Sequence, residues 1–442
     1  MEKFDVGIIG LGYVGLTLAT VMAEIGLKVV GVEKRADVVD LTNAGKPHFS
    51  EAGLEEALTR VTTSGMFKAC EQLAPDSHCD TYVITVGTPL GPDGTARLDM
   101  IEAASRQVAE NMQDGALIIL RSTVMCGTAR RVVAPILEAS GKSHAIAMCP
   151  ERTLEGRAMQ ELRELPQVIG ADSQPVRDRA AALFRRLTNT TVEVSSLEAA
   201  EMIKLVDNTY RDVHFAFANE VARACDAIGV SAYEVITAGK LGYKRTNVPM
   251  PGLVGGPCLE KDPHILFQSV RAHGVDLEIT RTARSVNERQ PFETMGFVGR
   301  EMARRQMAPD ALVAILGIAF KGIPATDDLR GSMSLKVLEA LRAERPEARI
   351  RLFDSVIDPE ELDRLVPGCQ VCRTQEDALA GAAVVLIANN HPALGRHAPK
   401  NMLDRMQPGG FIYDYWNHFS SLTPGELGTS YYAVGNSKEA VL

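Results

Sequence analysis

The residues best equipped for chemistry lie in one run: Pro251-Gly252-Leu253-Val254-Gly255-Gly256-Pro257-Cys258-Leu259-Glu260-Lys261-Asp262-Pro263. It sets a single cysteine in a glycine-rich turn and follows it closely with a lysine and an aspartate. Glycine lets backbone approach a ligand. A thiol beside positive charge ionises and becomes a nucleophile. The competing reading is a small, inert core cysteine, but glycines and two charged neighbours make an unusual core setting. A second group is Lys204 with Asn208, one helical turn apart on one face. Such donors can stabilise an oxyanion, or they can be surface decoration. In Cys149-Pro150-Glu151-Arg152-Thr153-Leu154-Glu155-Gly156 the two glutamates could hold a water or act as a base. They could equally be ordinary acids at a helix start.

These groups need elements to position them. Residues 4–10 read as a buried parallel strand, followed by a helix over Val14–Ile25 that Gly26 stops. Between them lies Gly10-Leu11-Gly12-Tyr13-Val14-Gly15, in the strand–turn–helix context a dinucleotide fingerprint requires. Its glycines allow a tight turn and a pyrophosphate at the helix N-terminus. Leu27–Val32 is the next strand, and Glu33 ends it where an acid should hold ribose hydroxyls. Glu33 favours NAD over NADP. Lys34 and Arg35 could meet a 2′-phosphate or be solvated surface charges. Further strands are expected at Thr81–Val86, Ala116–Leu120 and Ala145–Met148. The first two lead into Val86-Gly87-Thr88-Pro89 and Arg121-Ser122-Thr123-Val124, whose hydroxyls face the ligand crevice or merely cap helices.

The alternation predicts a doubly wound parallel sheet. From Leu197 to Ile228 it gives way to one long helix, with Ile203, Val206, Tyr210, Val213, Phe217 and Val221 at helical spacing. That stripe suits dimerisation or a helix buried in its own subunit. From Ala311 the alternation resumes, with strands at Leu312–Ile318, Ile350–Phe353, Ala383–Ala388 and Gly410–Tyr413. This second α/β region has no G-x-G-x-x-G, so a second dinucleotide held in the same way is not expected. The reading is α/β: two Rossmann-like doubly wound parallel-sheet domains, 1–196 and 301–442, joined by a central helical region, 197–300.

A chain of 442 residues, 45% apolar, can build several cores. A net charge of −9 with no long basic run argues against nucleic acid as the main partner. Eight cysteines at irregular spacing fit a reducing compartment. Cys369 and Cys372 form the only close pair, and no second pair faces them, so no metal site is expected. No secretory signal or membrane-length apolar run is visible, so a cytoplasmic location is the expectation.

Taken together the motifs resemble the UDP-glucose/GDP-mannose dehydrogenase family over essentially the whole chain. The resemblance rests on Gly10-Leu11-Gly12-Tyr13-Val14-Gly15, Pro150-Glu151-Arg152, Lys204 with Asn208, Gly255-Gly256-Pro257-Cys258 with Lys261-Asp262, and Phe320-Lys321 leading to Asp327-Asp328-Leu329-Arg330, in family order. Within the family, Arg211-Asp212-Val213-His214-Phe215-Ala216-Phe217-Ala218-Asn219-Glu220 looks most like the branch that oxidises UDP-N-acetylhexosamines. The resemblance implies a four-electron oxidation of a UDP-sugar C6 hydroxyl, with NAD as oxidant and a thiohemiacetal and thioester on Cys258. It implies that Lys204 and Asn208 stabilise oxyanions, that Asp262 assists proton transfer and the hydrolytic water, and that Glu151 and Thr123 position that water. Gly10, Gly12, Tyr13, Val14, Gly15, Glu33, Lys34, Thr88, Ser122, Lys261 and Arg330 are then on the cofactor side. Glu151, Leu154, Lys204, Asn208, Arg245, Asn247, Gly255 and Lys321 are on the substrate side. Lys321 would meet the pyrophosphate, and Arg245 would reach across a homodimer or a higher homo-oligomer.

Three positions depart from the acetylhexosamine pattern: Pro257 where histidine is common, Lys261 where valine is common, and Glu155 where proline is common. Lys261 looks like the UDP-glucose branch, so UDP-glucose stays open as the substrate. A two-electron β-hydroxyacid dehydrogenase would need neither Cys258 nor residues 311–442. A non-catalytic nucleotide-binding redox sensor would use Cys258 but would not need Lys204, Asn208 and Asp262 together.

Overall fold

A computed structural model describes residues 2–74, 77–420 and 430–436. The chain forms two compact units. One is Met1–Asn208 with His264–Asp276; the other is Thr209–Pro263 with Leu277–Leu442.

The first unit is built on strands β1 (Glu2–Ile9), β2 (Val29–Val32), β3 (Phe67–Cys70), β4 (Ser77–Ile84), β5 (Ala116–Leu120), β6 (His144–Met148), β7 (Gln167–Gly170) and β8 (Thr191–Val194). They form one sheet in the order β3-β2-β1-β4-β5-β6-β7-β8. The continuous apolar run Ala-Leu-Ile-Ile-Leu of β5 is buried throughout, as a strand covered on both faces must be. Strand order reverses between β1 and β4, which opens the ligand crevice of a doubly wound sheet at their carboxyl ends.

The expectation of a wholly parallel sheet needs one correction: β7 pairs antiparallel with β6, through Met148 and Gly170. The connecting helix, Ala158–Glu164, is only seven residues, about 10 Å, which is short for a crossover back along the sheet. Buried Glu51 accepts from the backbone N–H of Gly156 at 2.7 Å and of Ala158 at 2.8 Å. The loop after β6 is therefore held at the strands' carboxyl end, beside Tyr13, and the chain enters β7 from that end. Strands β3, β7 and β8 are four residues each with mixed polarity, and no expected strand covered them.

The second unit contains β9 (Leu312–Leu316), β10 (Arg349–Phe353), β11 (Gln370–Val371), β12 (Val384–Ile387), β13 (Phe411–Asp414) and β14 (Tyr431–Ala433). The order β11-β10-β9-β12-β13-β14 repeats the double winding, with every pair parallel. Its core packs Val313, Ile315, Val384, Leu386 and Phe411 against Met295, Val298, Val337 and Leu341. Each such fully buried side chain contributes roughly 1.5–3 kcal/mol.

The long helix spans Leu197–Ile228 as its pattern predicts. Val206, Tyr210 and Phe217 are exposed, at 47%, 59% and 54%, while Ile203, Val213 and Val221 are half-buried and pack against core residues, so the stripe is core along one edge and open along the other. Among the described residues no helix is long and apolar enough to cross a membrane.

Candidate active site

The dinucleotide turn in the first unit has the shape its glycines require. Gly10 sits at φ +97°, and a Cβ on Gly15 would fall on the Gly10 carbonyl oxygen. These two glycines close the turn against the helix Tyr13–Glu24. Gly12, the N-cap, differs: a Cβ there would meet nothing of this chain within 4 Å. That open space over uncapped helix N–H groups is the cradle a pyrophosphate needs, so the residues present fit NAD. Glu33 accepts from the Leu11 N–H at 3.0 Å and the Arg35 N–H at 3.1 Å, which holds its carboxylate at the turn. Lys34 is exposed, and the Arg35 guanidinium is paired with Asp37. Val14 is half-buried in the first helical turn. The Thr88 hydroxyl donates to the Thr123 carbonyl at 2.5 Å, and Ser122 to the Val86 carbonyl at 2.6 Å. The loops after β4 and β5 are thus stitched together at the sheet's carboxyl edge.

Glu151 is buried beside Arg121, whose Nε donates to Glu151 Oε2 at 2.9 Å and Nη2 at 2.5 Å. The other oxygen accepts from the Arg152 and Thr153 N–H groups, both at 2.7 Å. Burial alone would raise this carboxyl, but Arg121, the Thr153 N–H and Lys204 hold it below the ordinary carboxylate range. Glu151 is therefore a fixed anion, suited to orienting a water and unsuited to donating a proton. Lys204 and Asn208 are buried on the long helix, and Lys204 is close enough to Glu151 to act on its charge. The Leu154 N–H is spent on Glu161 Oε2 at 2.7 Å.

Several residues that order this unit escaped the sequence reading. Arg121 stands beside Ser122 at the end of β5, where nothing in its local spacing marks it as a partner for Glu151. Glu51 has no periodic signal; it hydrogen-bonds to the Tyr13 hydroxyl as well as to the loop after β6. Glu201, one turn before Lys204, accepts from the Gly127 N–H at 2.5 Å and the Ala129 N–H at 2.8 Å. Burial pushes its carboxyl up to about 7. Gln268 grips the loop after β4, donating to the Gly94 carbonyl at 2.5 Å and accepting from the Ala96 N–H at 3.0 Å. Ser269 accepts from the Cys126 N–H at 3.0 Å in the loop after β5.

In the second unit Cys258 lies on the single helical turn Gly256–Leu259 and is exposed. It is the one exposed thiol of the eight. Burial pushes the other seven up, Cys79 and Cys149 to about 12. The paired glycines explain the turn's seat. A Cβ on Gly255 would strike the Gly331 carbonyl oxygen, and one on Gly256, at φ +89°, would come within 2.5 Å of the Phe320 ring. The Gly256 N–H donates to the Gly331 carbonyl at 2.7 Å. The cysteine turn therefore rests on the segment after β9 that also carries Lys321 and Arg330.

Lys261 Nζ pairs with Asp262 at 2.7 Å, and Asp262 is fully buried. Lys321 lies over the Phe320 ring at 5.1 Å. The Arg330 guanidinium is held by Asp328 at 2.6–3.0 Å. Arg245 stacks over Tyr243 at 4.6 Å, and it and Asn247 are exposed. Lys204, Asn208, Glu151 and Thr123 belong to the first unit, and Cys258, Lys261 and Asp262 to the second.

A dinucleotide turn on one doubly wound sheet and an exposed cysteine seated on another define a class, the two-sheet dinucleotide-dependent oxidoreductases. Comparison with known proteins resolves it further. Residues 4–188 match the NAD binding domain of the UDP-glucose/GDP-mannose dehydrogenase family, 198–289 its central domain and 314–421 its UDP binding domain. A UDP-N-acetyl-D-mannosamine dehydrogenase of Pyrococcus horikoshii is 34% identical over 394 residues, which are 88% of this chain and 89% of that protein. The solved UDP-D-ManNAc dehydrogenase structure from Pyrococcus horikoshii superposes with a TM-score of 0.89 at 30% identity, covering 99% of this chain and 100% of that one. A UDP-glucose dehydrogenase structure from Pyrobaculum islandicum gives a TM-score of 0.85 at 27% identity, covering 99% and 98%. The chain belongs to the UDP-glucose/GDP-mannose dehydrogenase family: it is an NAD-dependent nucleotide-sugar dehydrogenase.

Proposed function

We propose that this chain oxidises the C6 hydroxyl of a UDP-N-acetylhexosamine, such as UDP-N-acetylmannosamine, to the carboxylate through a covalent bond to Cys258. The observation that carries the reading is the exposed Cys258 thiol on its glycine turn, against four buried and three half-buried cysteines elsewhere. The relatives named for UDP-N-acetylmannosamine support the choice of sugar. NAD supplies the hydride acceptor. The alcohol loses a hydride and a proton to become the aldehyde. The Cys258 thiolate adds to the carbonyl carbon, and loss of a second hydride from the thiohemiacetal leaves a thioester. Water adds to the thioester carbon and the thiolate departs, so one sugar, one water and two NAD yield the uronate, two NADH and three protons.

In this scheme Lys204 and Asn208 donate to the oxyanions. Glu151 and Thr123 orient the water. Asp262, with Lys261 beside it, relays protons. Lys321 and Arg245 bind the nucleotide sugar with Leu154, Asn247 and Gly255, while Lys34, Thr88, Ser122, Lys261 and Arg330 serve the cofactor. The scheme assigns cofactor binding to 1–196, dimerisation to 197–300 and the UDP-sugar to 301–442. The enzyme then works as a cytoplasmic homodimer supplying a uronic acid to a surface polysaccharide. UDP-glucose is the second reading, favoured by Lys261.

The test is NADH formed per sugar consumed, across UDP-glucose, UDP-N-acetylglucosamine, UDP-N-acetylmannosamine and GDP-mannose, with Cys258→Ser in parallel. Two NADH per sugar, lost in the variant, supports the thioester route and names the substrate. One NADH per sugar, or indifference to Cys258, overturns it.

A further inference from the structure

We infer that Arg284 is a positioning residue for Cys258, acting with Asp212, Asn219 and Asn287 to hold the cysteine turn from both sides. The inference rests on the proposed role of Cys258 as nucleophile. Arg284 lies on the helix Glu278–Arg304, and Asp212 and Asn219 on the helix Leu197–Ile228. All four side chains are buried, with exposures of 2% for Arg284, 0% for Asp212, 4% for Asn219 and 0% for Asn287.

The guanidinium reaches three acceptors at once. Nη1 donates to Asp212 Oδ1 at 2.7 Å and to the Leu259 carbonyl at 2.8 Å, and Nη2 donates to the Val254 carbonyl at 2.9 Å. Val254 and Leu259 bracket Cys258, so one planar cation ties the strand of chain entering the turn to the residue leaving it. Asn219 adds a third anchor. Its amide accepts from the Gly252 N–H at 2.9 Å and donates to the Gly252 carbonyl at 3.1 Å. Asn287 closes the network, donating to Asp212 Oδ1 at 2.9 Å and to the Asp212 carbonyl at 3.0 Å, and accepting from Asn219 at 3.0 Å.

Arg284 and Asn219 carry the bonds to residues 252, 254 and 259, Asp212 and Asn287 brace those two, and Arg284 Nε pairs with Glu288 at 3.3 Å. Helix-to-helix packing needs no buried guanidinium, and a buried ion pair adds little to stability over an apolar pair. What the fork supplies is geometry: rigid donors set at fixed angles, which hold a thiol that must meet a carbonyl carbon within a few tenths of an ångström.

The test uses Arg284→Lys, which keeps the charge and loses the fork, and Asn219→Ala, which keeps the Arg284–Asp212 pair. Each is compared with wild type and Cys258→Ser on whichever of the four nucleotide sugars wild type oxidises. The expected result is KM for NAD and sugar within about 2-fold of wild type, and kcat lower by about 10- to 100-fold. NADH per sugar should fall from two toward one, with the released aldehyde trapped by phenylhydrazine. A merely structural role would lower Tm and active fraction together and leave two NADH per sugar. That outcome, or wild-type kcat in both variants, overturns the inference. If Arg284→Lys does not fold, Asn219→Ala decides by the same readout. If Cys258→Ser itself yields two NADH, it is the nucleophile reading that fails.

Discussion

At the scale of single residues, charge state and backbone conformation carry the argument. Glu151 is held as an anion below the usual carboxylate range, against the pull of its own burial. Glu151→Gln should therefore lower kcat by about 10- to 1,000-fold, by the same factor from about pH 6 to 9; pH–rate profiles of the pair would check this, and an acid limb present in wild type and absent from the variant would contradict it. Glu201 is the opposite case. Burial raises its carboxyl from 4.5 to about 7, so its contribution to stability is fully present below the unfolded value and is lost as pH rises through the folded one. Glu201→Gln should flatten the loss between about pH 4.5 and 7, a difference on the order of 1–3 kcal/mol in denaturant melts. Gly256→Ala combines strained φ with a methyl against the Phe320 ring. It should cost about 1–3 kcal/mol and reduce activity with it, measurable as a lower urea midpoint.

At the scale of elements, the helix Asp262–Arg271 anchors loops of the first sheet. It opens with Asp262, and further along Gln268 and Ser269 hold the loops after β4 and β5 that carry Thr88, Ser122 and Thr123. Ser269→Ala removes the acceptor for the Cys126 N–H and should raise KM for NAD by about 3- to 10-fold, with KM for the nucleotide sugar unchanged. Ser269→Thr restores the hydroxyl and should restore the wild-type value. Steady-state kinetics with each substrate varied in turn would check both. Helical spacing marked the long helix Leu197–Ile228 to the residue, because an uninterrupted apolar period is a local property. It could not separate core from interface, since Tyr210 and Phe217 read alike in either.

At the scale of the whole molecule, the two sheets repeat one device with different outcomes. Glu33 at the end of β2 takes one backbone donor from the turn after β1 and one from Arg35. Asp354 after β10 takes four, from Ile318, Ala319, Val356 and Ile357. Four donors fill a carboxylate's lone pairs, so Asp354 is spent on its own loops where Glu33 retains capacity for a ribose. The exposed stripe of Tyr210, Phe217 and Ile228 belongs with the proposed dimer. Phe217→Glu should shift the protein toward monomer in light scattering after gel filtration, while the far-ultraviolet circular dichroism spectrum stays that of the folded chain. A variant with wild-type mass would remove this face as the interface.

Sequence alone determined the fold class, the dinucleotide turn and the glycine turn that carries Cys258. Each depends on residues adjacent in the chain, whose types suit one local conformation: glycines for the turns at 10–15 and 255–256, apolar runs for β5 and β9. Tertiary structure decided what those residues lean on. Arg121 beneath Glu151, Glu51 beneath the loop after β6, Gln268 on the loop after β4, and Arg284 behind Cys258 are each brought to their partners from 25 or more positions away. Such contacts leave no period or spacing, because a buried polar group is chosen by whatever backbone N–H or carbonyl the packing leaves unsatisfied. The antiparallel β6–β7 pair is likewise a tertiary outcome, a strand direction that nothing within the strand itself encodes.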